Sequence, residues 1–271
     1  MSDQEAVWAY AVVRAGAVKE SDGRLVGVAG RPVRLVNAAD LAAVVSPVDL
    51  AEFGEEPLRR NLDQLPWLEA VARMHHRVVA AVARSAAVVP MRLATVYRSE
   101  IGLTRMLEQR HDDFQAVLSQ LAGRSEWGVK VYAAQAVETA TPADEGSTGG
   151  SVEAGSGAAY LMKRRRQLTA AEEVRRSAVE RAEHLHAELA GHAVASAVHR
   201  PQDPQLSGTT ARMILNASYL VDDRERAAFA AMAEQTAAMN PAVRLELTGP
   251  WPPYSFAAAG PSHVTSAGAP R

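Results

Sequence analysis

The chain has 271 residues, enough for two domains, with 48% hydrophobic residues, 22% charged residues and a formal net charge of -2. That balance excludes disorder along the whole length, and near-neutrality excludes a protein whose main task is to coat a polyanion. The absence of cysteine excludes disulfide scaffolds, thiolate zinc sites and cysteine nucleophiles, and fits a reducing cytoplasm. The opening residues MSDQEAVWAY lack the basic start and apolar core of a signal peptide. The most apolar stretch, Val78 to Val89, is broken by Arg84 and Ser85 and is too short to span a bilayer. The expectation is a cytoplasmic protein, or one delivered from the cytoplasm to a protein assembly.

Val7 to Arg14 (VWAYAVVR) reads as a strand, rich in β-branched and aromatic residues. Leu25 to Val28 and Val33 to Val36 read as short strands about a turn at Gly30 and Pro32, and Leu41 to Ser46 as another closed by Pro47. From Asp63 the period changes to helical, with Leu68, Val71, His75, Val78 and Val82 on one face and the pair Glu69 and Arg73 on another. Val88 to Tyr97 (VVPMRLATVY) returns to strand, on an edge or with a bulge because Pro90 removes a ladder donor. Ser99 is placed to cap one further helix carrying Leu103, Met106, Leu107, Phe114, Val117, Leu118 and Leu121.

Trp127 to Ala133 is the next strand, after Gly123 to Ser125 end the helix. Thr139 to Gly157 is almost wholly small, polar or acidic; it buries too little apolar surface to offset ordering and reads as a flexible loop. Ala158 to about Gly191 reads as one helix roughly 50 Å long, with a stripe of Leu161, Leu168, Ala171, Val174, Ala178, Ala182, Leu185 and Leu189. Val194 to His199 and Arg212 to Val221 are strands. Asp222 and Glu225 form a capping-box pattern before a helix that buries Phe229, Met232 and Met239 and stops at Asn240-Pro241. Val243, Leu245 and Leu247 alternate with polar residues as in a half-buried strand. The second half thus spells β-α-β-β-α-β, the ferredoxin-like order. The fold class is α+β in two domains: an N-terminal α+β domain at 1–123 and a ferredoxin-like domain at 124–271, with the loop at 139–157 and a Pro/aromatic tail at 249–271.

Enzyme signatures are missing. Gly27-Val-Ala-Gly30 is too short for a dinucleotide fingerprint and leads into a strand; no phosphate loop, nucleophile elbow or H-E-x-x-H occurs. His75 lies on an apolar stripe, as a buried structural histidine with one hydrogen bond would, and His76 points elsewhere. His184 and His186 are two apart and do not share a helix face, so no metal site is expected. Arg92 sits inside an apolar strand; it must face solvent or find a partner, and a structural ion pair is the expectation. The basic run Lys163, Arg164, Arg165 and Arg166 would suit a polyanion, but on a helix also bearing Glu172, Glu173, Glu180 and Glu183 it reads as a solvated face. No catalytic residue, cofactor or nucleic-acid partner is expected.

The tail is the most informative segment. Pro250, Pro252 and Pro253 hold it extended, which displays Trp251, Tyr254 and Phe256 at low entropic cost. These three are the candidate partner-binding residues, since Trp and Tyr often dominate affinity. The competing reading is that the tail folds back and seals its own domain.

Thr248 to Phe256 (TGPWPPYSF) resembles the C-terminal signature of the GvpF/GvpL gas vesicle proteins. The His75 helix leading into VVPMRLATVY, the segment LNASYLVDD followed by the Phe229 helix, the Tyr-containing first strand and LAAVVSPV are similar to that family too, so the resemblance runs from about Val7 to Phe256. It implies a minor gas vesicle protein required for vesicle assembly and located at the gas vesicle. The implied partners are the major shell protein, met during nucleation or growth, and other gas vesicle accessory proteins; no enzymatic activity, cofactor or lipid membrane is implied. The rival expectation is an α+β small-molecule-binding protein or enzyme of unknown substrate, which would need a concave pocket with convergent polar groups.

Overall fold

In a computed structural model, residues 4–19, 25–133, 156–201, 212–240 and 243–257 are described. The chain divides into two units. The first takes Met1–Trp127, Leu220–Arg224 and the described residues from Gly249 onward; the second takes Gly128–Tyr219 and Glu225–Thr248.

Strand β1 (Glu5–Arg14) lies inside a sheet of order β2-β3-β1-β4, with β2 at Arg34–Ala38, β3 at Leu41–Asp49, β4 at Val89–Pro90, and β5 (Val96–Tyr97) also on β1. Residues Ala6 to Val13 are all buried, as expected of a strand covered on both faces. Trp8 and Tyr10 join Val71, Val78 and Val82 of α3 (Leu65–Ala83) and Phe53 of α1 (Leu50–Phe53) in one apolar cluster. A second group, Leu103 and Leu107 of α4 (Glu100–Gln109) with Phe114, Leu118 and Leu121 of α5 (His111–Leu121), is buried apart from it. Each large side chain so buried contributes roughly 1.5–3 kcal/mol. Helix α2 (Glu55–Leu62) connects α1 to α3 and has no buried residue.

The structure departs from the sequence reading at several points. Strand β3 runs through Pro47 to Asp49, because β2 pairs only as far as Val45 and Pro47 has a neighbour on one side alone. Leu25 to Val28 forms no strand; Val26 makes an isolated bridge to Pro32, beside a 3-10 turn at Val28–Gly30. The strand expected from Val88 to Tyr97 is interrupted by a turn in which Ala94 takes φ 64°. A turn without glycine leaves no compositional trace. Its two ends stay on β1, held by Met91 N–H to Tyr10 O at 2.8 Å and Ala9 N–H to Thr95 O at 2.9 Å. Arg92 lies in that interruption, exposed, and among the described residues it makes no ion pair. The helix after Ser99 is two helices, broken at Arg110 (φ -113°, ψ 22°); the spacing of Leu103, Leu107, Phe114, Leu118 and Leu121 stays in phase across the break, so periodicity does not register it. Ser99 does cap α4, its Oγ accepting from Gly102 N–H at 3.2 Å.

The second sheet has the order β7-β8-β6-β9, from β6 (Arg124–Ala133), β7 (Ala195–Val198), β8 (Met213–Asp222) and β9 (Val243–Trp251). Counted in chain order this is 2-3-1-4, the ferredoxin-like arrangement expected from the sequence. Its helices are α6 (Ser156–Gly191) and α7 (Arg226–Ala238). Ala178, Ala182, Leu185 and Leu189 of α6 are buried, as are Phe229, Ala233 and Thr236 of α7. The stripe does not continue toward the start of α6: Leu161 and Leu168 are 66% and 61% exposed. At 3.6 residues per turn they lie about a quarter turn from the buried line. Asp222 is no cap. It ends β8 and accepts from Arg124 Nε at 2.9 Å, so α7 begins after Glu225 without a side-chain cap. Met239 is exposed, one residue beyond α7, and Met232 is half-buried. Of the loop 139–157, residues 139–155 lie outside the described residues, while Ser156 and Gly157 open α6.

His75 occupies the centre of the first core. Trp8 Nε1 donates to its Nδ1 at 3.0 Å, which leaves Nε2–H to donate to Met91 O at 3.2 Å. Two hydrogen bonds therefore hold the ring, where the sequence suggested one. Nearby the Tyr10 hydroxyl accepts from Val28 N–H and shares a hydrogen bond with Ser46 Oγ, each at 2.7 Å. A Cβ on Gly27 would collide with that hydroxyl. Burial pushes the Tyr10 phenol up to about 12 and His75 down to about 4. Unfolded, His75 titrates near 6.5. Between the two values the unfolded chain binds the extra proton, so acid favours unfolding. The contribution of about 3 kcal/mol is complete above 6.5 and is lost as the pH falls through about 4. Urea midpoints measured from pH 7 to pH 4 should fall accordingly, and a His75→Phe variant should lack that component.

Candidate functional site

The tail turns at Gly249, whose φ of +134° only glycine adopts without strain. A Cβ there would stand 2.9 Å from Glu126 O and 3.2 Å from the Trp127 ring, so the chain can pass this close to β6 only without a side chain. Pro252 and Pro253 are buried, and a 3-10 turn follows at Tyr254–Phe256. That turn is fastened by the carboxylate of Glu126, which is itself buried. Ser255 N–H donates to Oε2 at 2.8 Å and Ser255 Oγ donates to Oε1 at 2.6 Å. Bonds to a charged acceptor are among the stronger ones, so the segment is pinned as well as stiff. Nothing in the sequence singles out Glu126 for this role; only the pairing of a strand-borne carboxylate with a serine 129 positions later reveals it. Glu126→Ala should lower stability by about 2 kcal/mol. It should also free the segment, read as faster clipping near Tyr254 in limited proteolysis.

The three candidate aromatics divide. Phe256 is 8% exposed and packs inward. Trp251 and Tyr254 remain 44% and 37% exposed and flank His76 on α3, with ring centroids 5.4 and 6.1 Å from the imidazole. His76 is thus set on the face of α3 opposite in role to His75, supporting a surface and not a core. Burial of its inner edge, then the charge of Glu126, holds the Tyr254 phenol well above its ordinary range, so it stays a neutral donor.

Elsewhere the polar clusters are local. His111 bridges Asp112 and Asp40 at 2.8 and 2.5 Å in an exposed network with Gln115. The two carboxylates, Asp112 first, raise its pKa. His186 Nδ1 and the Tyr219 hydroxyl share a hydrogen bond at 2.7 Å, whereas His184 stands exposed, 3.4 Å from Glu188. Among the described residues no group of three or more His, Asp or Glu is placed to hold a metal ion, and no helix is long and apolar enough to cross a membrane.

These features define an α+β protein with a ferredoxin-like sheet and a C-terminal segment that presents two half-exposed aromatics on either side of His76. Residues 6–258 match the family described as gas vesicle synthesis protein GvpL/GvpF, and the chain belongs to that family. It is 40% identical over 259 residues to gas vesicle protein L of Streptomyces sp. (strain CB03234), covering 95% of this chain and 94% of that protein. To gas vesicle protein F of the same strain it is 28% identical over 232 residues, covering 83% and 88%. Its fold is similar to the crystal structure of GvpF from Microcystis aeruginosa (TM-score 0.62, 16% identity, 93% of this chain and 99% of that one). The GvpF crystal structure from Anabaena sp. PCC7120 is similar too (TM-score 0.61, 18% identity, 96% and 98%). Membership gives the chain an accessory role in gas vesicles.

Proposed function

We propose that this chain acts without enzymatic chemistry, binding the major shell protein of the gas vesicle during nucleation or growth of the shell, with Trp251 and Tyr254 as anchors. The observation that carries this is the pair of half-exposed aromatics on a segment pinned by prolines and by Glu126. A shell subunit with a large apolar surface aggregates when free; a partner that covers that surface and releases it to the growing edge directs assembly instead. Rigid aromatic anchors suit this, because little freedom is lost on binding. Phe256 serves the site from below, by holding the turn in place. The test is direct capture: the immobilised chain should retain freshly solubilised shell protein, and a control chain truncated before Gly249 should not. Equal retention by both would refute the assignment of the anchors. No retention by the intact chain would refute the shell protein as partner.

A further inference from the structure

Helix α6 carries a second surface, separate from the C-terminal aromatics. Leu161, Leu168, Glu172, Arg175 and Val179 fall within about 40° of one line along the helix. That line is about a quarter turn from the buried one. Leu161, Met162, Leu168 and Val179 are all exposed. The line leads into a cleft of about 510 Å³ where Val179, Met213 and Ile214 supply apolar lining and Arg175, Arg176 and Arg212 supply charge. Within about 60° of that line four charged residues are basic, Arg164, Arg165, Arg175 and Arg176, and one, Glu172, is acidic. Glu172 is engaged by Arg175, and Arg176 reaches Glu180 at 3.9 Å, while Arg164 and Arg165 are exposed and form no ion pair among the described residues.

We propose that this face of α6, from Leu161 to Val179, docks an acidic amphipathic helix of another protein. An apolar line with basic flanks fits the apolar stripe of a helix whose own flanks are Asp and Glu. A second copy of this chain is disfavoured, since an isologous contact would set arginine against arginine. Nucleic acid fits less well, because the line offers leucine and valine where stacking would use aromatic rings. The inference does not depend on the role of Trp251 and Tyr254.

Photo-crosslinking in cells that make gas vesicles tests it. p-Benzoylphenylalanine is placed at Leu161 or Leu168, with Glu173, a third of a turn away, as the control position. Both leucines are exposed, so the substituted chains should keep the parent melting temperature; using two positions guards against one of them failing. The expected adduct is a segment of another protein that is rich in Asp and Glu with apolar residues three and four apart. Its yield should fall at least tenfold when Arg165→Glu and Arg175→Glu are added. An adduct to a basic or neutral segment, to a second copy, to RNA or to lipid overturns the proposal. So does a yield no greater than at position 173, or one that survives charge reversal.

Discussion

Replacing Trp251 and Tyr254 together by Ala is expected to abolish measurable capture of the shell protein. Each is the kind of residue whose truncation in an interface costs about 2 kcal/mol or more, so the pair should weaken binding about a thousandfold. The fold should survive. Both side chains are already part-exposed, and the inward contacts of this segment belong to Pro252, Pro253, Phe256 and Ser255. The loss of stability should stay near 1–2 kcal/mol, well below that of fully buried aromatics. Melting temperature and capture are therefore read on the same sample. Lost capture with a near-parent melting temperature supports the anchors. A collapse in melting temperature would assign the two rings to sealing the core, and capture retained by a folded double variant would move the contact to another surface.

His75→Ala should be among the most destabilising single changes in the chain, at about 3–5 kcal/mol. It opens a cavity beside Trp8 and Tyr10, and it strands the buried Trp8 Nε1–H and the partly buried Met91 carbonyl. His75→Phe fills most of the volume but leaves the same two groups without partners, so it should cost about 1–3 kcal/mol less than the alanine change. Chemical denaturation of the three chains at pH 7.5 checks the order. A His75→Ala chain as stable as the parent would show that the ring is not held as described.

How far the sequence reveals this protein depends on which physical signal each feature leaves. The ferredoxin-like order was legible because each of its elements has a clear period, from the alternation at Val243 to Leu247 to the long helix before Gly191. Boundaries set by tertiary pairing were not legible. Pro47 sits in a strand because β2 stops short of it, and Asp222 leaves its capping role because Arg124 lies within reach. The turn at Ala94 and the break at Arg110 were hidden for opposite reasons, one lacking any turn residue and the other keeping its apolar phase. At the site, the composition of TGPWPPYSF pointed to the displayed aromatics, yet not to what they rest on. His76 and Glu126 come from distant parts of the chain, and only folding brings them to Trp251, Tyr254 and Ser255.

The clip between Glu126 and Ser255 also sets an order of events during translation. Trp127 leaves the peptidyl-transferase centre about 6 to 24 seconds before Gly249 does, at roughly 5–20 residues per second. During that interval the first unit has every helix and strand of its own sheet but lacks its final segment and, for most of the time, Leu220–Arg224. A nascent chain therefore has neither Trp251 nor Tyr254 beside His76, and its Glu126 waits for Ser255. On the role proposed for Trp251 and Tyr254, contact through them opens only once Phe256 has been made, and a product stalled just before Gly249 would lack that contact while still carrying α6.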